Sequence, residues 1–92
     1  DTVYGDADPD TIVGGGSSDN VWGGDGNDVL RGSSGLDKLF GGDGDDELVG
    51  GAGNDYGYGE AGHDLVIGND GDDVLYGDDG DDDLFGGADS DV

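Results

Sequence analysis

Aliphatic residues recur along this chain with a period that is neither the two of a strand nor the 3.6 of a helix. Val3, Ile12, Val21, Leu30, Leu39, Leu48, Val66, Leu75 and Leu84 follow one another in a nine-residue series, with Gly57 as its one interruption. Two residues before each stands an aspartate: Asp1, Asp10, Asp19, Asp28, Asp37, Asp46, Asp55, Asp64, Asp73 and Asp82, and Asp91 extends the series. Five residues before each aspartate from Asp10 onward lies a glycine: Gly5, Gly14, Gly23, Gly32, Gly41, Gly50, Gly59, Gly68, Gly77 and Gly86. Each unit therefore divides into six turn-forming residues and three strand-forming ones. In so short a strand the middle side chain faces one way and its two neighbours the other, so the aliphatic residue points inward. Strands of this length gain stability only by stacking into parallel sheets, each turn repeating the one below.

The residue after each aliphatic position shows how many units complete a coil. It is Tyr4, Trp22, Phe40, Tyr58 and Tyr76 on one 18-residue series, and Val13, Arg31, Val49, Ile67 and Phe85 on the interleaved one. A nine-residue coil gives no reason for that alternation, so the coil has 18 residues and two opposed strands. One sheet then supplies Val3, Val21, Leu39, Gly57 and Leu75 to the core, and the other Ile12, Leu30, Leu48, Val66 and Leu84. That is an all-β solenoid of about five coils, roughly 24 Å tall.

The whole of 1–92 reads as a single domain, with its best-formed repeats over 23–85. There the fourth loop position, which needs positive φ, is always glycine: Gly26, Gly35, Gly44, Gly53, Gly62, Gly71 and Gly80. The first two loops carry Asp8 and Ser17 instead, and the last Asp89. Aspartate tolerates that conformation better than serine does. Gly57 leaves a gap in the core for Tyr56 and Tyr58 to cover in part, so its layer is expected to be the weakest.

Composition sharpens this picture. Twenty-five acidic residues against two basic ones give a formal charge of −23, and 30% of residues are hydrophobic. Such a balance by itself reads as disorder. Nine small core side chains cannot offset the ordering of the backbone and the repulsion among the carboxylates, so something cationic has to complete the fold. The charge also excludes nucleic acid as a partner, because phosphate contacts need Lys and Arg. No apolar run has the length of a membrane span. Cysteine is absent, which removes disulfides and thiolate metal sites and suits an extracellular, metal-stabilised protein. The first unit is truncated and no signal-like segment is visible, so the chain reads as a piece of something longer.

The aspartates state what the cation has to be. An 18-residue coil places Asp28 below Asp46 and Asp37 below Asp55, one strand spacing apart, where two carboxylates repel unless an ion lies between them. Gly-rich loops add backbone carbonyls, and calcium takes six to eight such oxygens. Magnesium demands octahedral geometry and keeps its waters, and zinc lacks its usual ligands here. The competing reading is that each aspartate only bonds its own turn; that use, however, does not require Asp rather than Asn throughout.

In one register over all 92 residues, the unit G-G-x-G-x-D-x-U-x, clearest at Gly41-Gly42-Asp43-Gly44-Asp45-Asp46-Glu47-Leu48-Val49, resembles the RTX (repeats-in-toxin) nonapeptide repeat. The resemblance implies a right-handed parallel β-roll binding Ca2+, about eight ions in all. It also implies a ligand set: carbonyls two and four and the aspartate of a lower loop, carbonyls one and three and the aspartate of the loop above. Carried over, Gly24, Gly26 and Asp28 would act with Gly41, Asp43 and Asp46, and Ser33, Gly35 and Asp37 with Gly50, Ala52 and Asp55. Gly42, Gly44 and Asp46 would act with Gly59, Ala61 and Asp64, and Gly51, Gly53 and Asp55 with Gly68, Asp70 and Asp73. Glu60, Gly62 and Asp64 would act with Gly77, Asp79 and Asp82, and Asn69, Gly71 and Asp73 with Gly86, Ala88 and Asp91. Asp10 and Asp19 would serve the first pairs, whose loops depart from the pattern at Asp8, Pro9 and Ser17.

Nothing in the spacing implies catalysis. His63, the only histidine, occupies the variable fifth loop position without a partner, and Ser17, Ser18, Ser33 and Ser34 fall on loops. Carboxylates gripping calcium are not free to shuttle protons, so the chain is not expected to be an enzyme. The aromatic column Tyr4, Trp22, Phe40, Tyr58 and Tyr76 has two readings: a ladder that stabilises the sheet, or a stripe that meets further copies, another protein or a glycan. The function also has two. One is a secreted or cell-surface calcium-binding module serving as scaffold, adhesin segment or fibre element. The other, which the resemblance implies, is a C-terminal module that folds a type I-secreted enzyme or toxin once it meets calcium.

Overall fold

Each triplet centred on an aliphatic residue seeds a strand, and the computed structural model describes all 92 residues as ten of them. These are β1 (Thr2–Tyr4), β2 (Thr11–Gly15), β3 (Asn20–Asp25), β4 (Val29–Ser34), β5 (Lys38–Asp43), β6 (Glu47–Ala52), β7 (Tyr56–Ala61), β8 (Leu65–Asp70), β9 (Val74–Asp79) and β10 (Asp83–Gly87). Odd strands form one five-stranded sheet in the order β1-β3-β5-β7-β9, and even strands a second in the order β10-β8-β6-β4-β2. Every pairing is parallel and offset by one coil: Val21 pairs with Leu39, Trp22 with Phe40, Leu30 with Leu48. A one-residue slip would turn the core residues outward, so the burial pattern fixes the register. The result is the expected all-β roll of 18-residue coils. It contains no helix, and hence none long and apolar enough to cross a membrane.

The core is thin. Val21, Leu30, Leu39, Leu48 and Val66 are fully enclosed, and Ile12 and Leu75 pack against them from the ends. Two expected core positions are not closed over: Val3 is half-buried and Leu84 is 41% exposed. Both lie in terminal coils, which lack a neighbour on one side. Gly57 does not leave the expected gap to its flanking tyrosines. A Cβ there would lie 2.6 Å from Val66 Cγ1, so the valine opposite already occupies the space. What void remains is too narrow for water.

The loops alternate between two rims of a plate measuring 32 × 28 × 13 Å. Loops 5–10, 23–28, 41–46, 59–64 and 77–82 form the first rim. Loops 14–19, 32–37, 50–55, 68–73 and 86–91 form the second. From Gly14 onward, both the second and the fourth loop residues have positive φ. Glycine accounts for most of these, but Ser17, Ser33, Glu60, Asn69, Asp78 and Asp89 take the same conformation at φ of 67–88°. Loop 5–10 is the exception. Asp8 does not adopt the positive φ expected of it, because Pro9 drives the preceding residue toward extended backbone.

Candidate metal centre

The first glycine of each loop has a steric cause. A Cβ on Gly41 would lie 2.5 Å from Asp46 Oδ2 and 2.7 Å from Gly59 O. A carboxylate from its own loop and a carbonyl from the coil above thus converge on one bare Cα. Gly23 repeats this with Asp28 Oδ2 at 2.5 Å and Gly41 O at 2.6 Å. Carbonyls also rise from below: Cβ atoms on Gly42 and Gly44 would run into Gly24 O and Gly26 O. Asp43 O completes the enclosure by accepting from Gly26 N–H at 2.9 Å. Oxygens of Gly24, Gly26, Gly41, Asp43 and Asp28 therefore line the space between loops 23–28 and 41–46.

The same enclosure recurs on both rims. On the second rim, Ser33 O and Gly35 O abut Gly51 and Gly53, Gly50 O descends to Gly32, and Ala52 O accepts from Gly35 N–H at 3.1 Å. Above loop 41–46, Ala61 O accepts from Gly44 N–H at 3.0 Å, and Gly44 O abuts Gly62. Asp70 O accepts from Gly53 N–H, and Asp79 O from Gly62 N–H. The last pair departs from this. Gly86 O descends to Gly68 and Asn69 O abuts Gly87, but Gly71 N–H donates to Asp89 Oδ2 rather than to Ala88 O.

The aspartates form two files. Oδ1 of each accepts a backbone N–H from the aspartate one coil earlier: Asp28 N–H to Asp46 Oδ1 at 2.8 Å, Asp37 to Asp55 at 2.9 Å, Asp46 to Asp64 at 2.8 Å. The files run on through Asp10 to Asp28, Asp19 to Asp37, Asp55 to Asp73, Asp64 to Asp82 and Asp73 to Asp91. These bonds tie one coil to the next, so the aspartates are not merely stabilising their own turns.

The second oxygen decides what else they do. Oδ2 of Asp19, Asp28, Asp37, Asp46, Asp55, Asp64 and Asp73 is buried with no hydrogen-bond partner. An orphaned buried carboxylate oxygen is costly, and seven in two columns are a standing demand for positive charge. The acidities say the same. Burial, with repulsion from the neighbouring coils, pushes Asp46 and Asp55 from 3.8 up to about 6, although backbone N–H donors pull the other way. Asp37, Asp64 and Asp73 are raised chiefly by burial as well.

The donors are all oxygens, mostly backbone carbonyls, which is the chemistry of a hard cation such as calcium. No three His, Asp or Glu side chains gather at one point. That is consistent with carboxylates in single file, where carbonyls must supply the remaining ligands.

A family model described as the RTX calcium-binding nonapeptide repeat (4 copies) matches residues 1–30, 22–57 and 58–92. The chain belongs to that family. Comparison with curated proteins and with solved structures finds no match. This RTX chain is a calcium-binding repeat module. The second loop position, glycine in the formula, takes positive φ as the fourth does, even where Ser33, Glu60, Asn69 or Asp78 stands there. The fifth position, left open in the formula, carries a feature that the formula did not signal. It forms ladders of its own: Asp45 N–H donates to Asn27 Oδ1 at 2.8 Å, His63 N–H to Asp45 Oδ1 at 3.0 Å, and Asp72 N–H to Asn54 Oδ1 at 2.8 Å. The clue was Asn or Asp recurring at that position 18 residues apart. His63 stays exposed, its Nδ1 accepting from Asp81 N–H at 3.2 Å.

Proposed function

We propose that this chain is an extracellular structural module whose fold is completed by calcium held between stacked loops. The observation that carries the reading is the set of seven buried Oδ2 atoms without partners. Each belongs to the lower loop of one successive pair: Asp19 below loop 32–37, Asp28 below 41–46, and so on to Asp73 below 86–91. Gly24, Gly26, Asp28, Gly41, Asp43 and Asp46 would hold one ion, and the corresponding sets on both rims the others. Calcium supplies the positive charge that these oxygens lack. Seven ions would bring the formal charge from −23 to about −9, which a compact domain tolerates.

Without that charge the files of carboxylates repel, and the thin core is too small to hold the roll closed. Extracellular calcium modules bind with dissociation constants of about 0.1–1 mM, so the chain would be unfolded where calcium is scarce and folded outside the cell. Every coil is spent on the repeat, which supports a scaffold or interaction role rather than catalysis.

Circular dichroism in excess chelator followed by calcium titration tests this. A β signal that appears cooperatively with calcium, and not with magnesium, is expected. An unchanged β signal in chelator would contradict it.

A further inference from the structure

The plate has a second kind of surface, formed by the residues on either side of each core residue. On the odd-strand sheet these are the aromatic column and a second column of Thr2, Asn20, Lys38, Tyr56 and Val74. No acidic residue stands among them, although the chain has 25. On the even-strand sheet, Val13, Val29, Val49, Leu65, Ile67 and Phe85 are accompanied by Arg31, Glu47 and Asp83. Val13 and Phe85 are each 57% exposed. The acidic side chains thus crowd the rims and nearly vacate both broad faces. Parallel sheets are ordinarily covered on both faces, and these are covered only on the inside.

We propose that copies of the folded chain stack broad face to broad face, the odd-strand sheet of one on the even-strand sheet of the next. Charge selects that pairing. The odd face carries Lys38 alone, and the even face a net single negative charge from Arg31, Glu47 and Asp83. Odd-on-even brings opposite charges together, whereas each like-on-like pairing brings equal ones. Lys38 and Glu47 hold the same position in the two units of the middle coil, so they lie at matching heights. The geometry of the rings excludes a sugar platform. Tyr4, Trp22, Phe40, Tyr58 and Tyr76 stack with centroids 4.7–5.1 Å apart and planes within 15°, so their faces are spent on one another. They present a straight ridge of ring edges, which suits a column of aliphatic side chains better than the face of a pyranose. Each acid-free face is a strip five strands tall and about three residues wide, well short of the roughly 800 Å² that each partner contributes to a stable interface, so the contact is weak and shows itself at high concentration.

Trp22, the only tryptophan, lies in the ridge and reports on it directly. The test is sedimentation equilibrium with Trp22 emission on the calcium-loaded chain over a wide concentration range. The far-UV signal of the same samples separates a lost contact from a lost fold. Because the two contacting faces differ, association does not close, and the mass should rise past the dimer as Trp22 emission moves to the blue. Lys38→Glu should weaken association about tenfold or more, and Lys38→Glu with Glu47→Lys in one chain should restore it. A folded monomer at every concentration, a closed dimer, or an indifferent Lys38→Glu variant would each overturn the proposal. So would a Trp22 shift on adding soluble gluco-oligosaccharide to a monomer, which would assign the ridge to a glycan.

Discussion

Loop 5–10 and loop 41–46 share a glycine at the first position and an aspartate at the sixth, yet the two aspartates are employed differently. Asp46 Oδ2 is buried and unpartnered. Asp10 Oδ2 accepts a hydrogen bond from Asp6 N–H of its own loop at 2.9 Å, and Asp10 is only half-buried. The difference begins at Pro9, which denies Asp8 the positive φ that Gly44 supplies at 125°. Without the two left-handed residues the first loop folds back on its own carboxylate. A conserved-looking formula thus yields either a self-satisfied turn or a carboxylate that demands a cation, and two backbone torsions decide which.

The sharpest way to break this comparison is to truncate both aspartates. Asp46→Ala should cost about 2–4 kcal/mol of stability in calcium, since it removes the acceptor for Asp28 N–H and unbalances the loops above and below. Asp10→Ala should cost about 1 kcal/mol or less, the worth of one exposed hydrogen bond. Denaturant unfolding of both in saturating calcium measures this, and equal losses would end the distinction.

Repairing the first loop sharpens it further. Asp8→Gly with Pro9→Asn restores the missing glycine and removes the proline restraint, so one additional calcium ion should bind; an unchanged ion count would show that Pro9 is not the cause.

A gentler perturbation is acid. Asp46 and Asp55 have folded values of about 6 against an ordinary 3.8. Their protonated forms therefore favour the fold, an effect complete below pH 3.8 and lost as pH rises through 6. In chelator, far-UV dichroism should show more β structure at pH 4 than at pH 7, and the reverse trend would contradict the burial of these oxygens.

Much of the roll was legible because a strict repeat states its own geometry. The alternation of Tyr4, Trp22, Phe40, Tyr58 and Tyr76 with Val13, Arg31, Val49, Ile67 and Phe85 fixed the 18-residue coil, and with it the register of both sheets. That Gly24, Gly26, Gly41 and Asp43 would turn their oxygens to one space came from the resemblance to the RTX repeat, not from the spacing alone. What escaped is contextual. Asp8 was judged by its own tolerance of positive φ, when its neighbour Pro9 governed the outcome. Gly57 looked like a missing side chain in one dimension, but Val66 from the facing sheet fills that space. Leu84 has the sequence of a core residue and lacks only a coil above it. Ser33, Glu60, Asn69 and Asp78 conceal the second left-handed position because they are not glycine.

The central claim is that the unpartnered oxygens of the buried aspartates bind calcium, and Asp46→Asn isolates it. The amide can keep an acceptor for Asp28 N–H while removing the charge, so the coil-to-coil bond survives and only the ligand is lost. Calcium binding at equilibrium, counted per chain for the natural sequence and for Asp46→Asn, is the direct measurement. The account predicts fewer ions bound at a given calcium concentration and a weaker midpoint in the variant. An identical count and midpoint would contradict it.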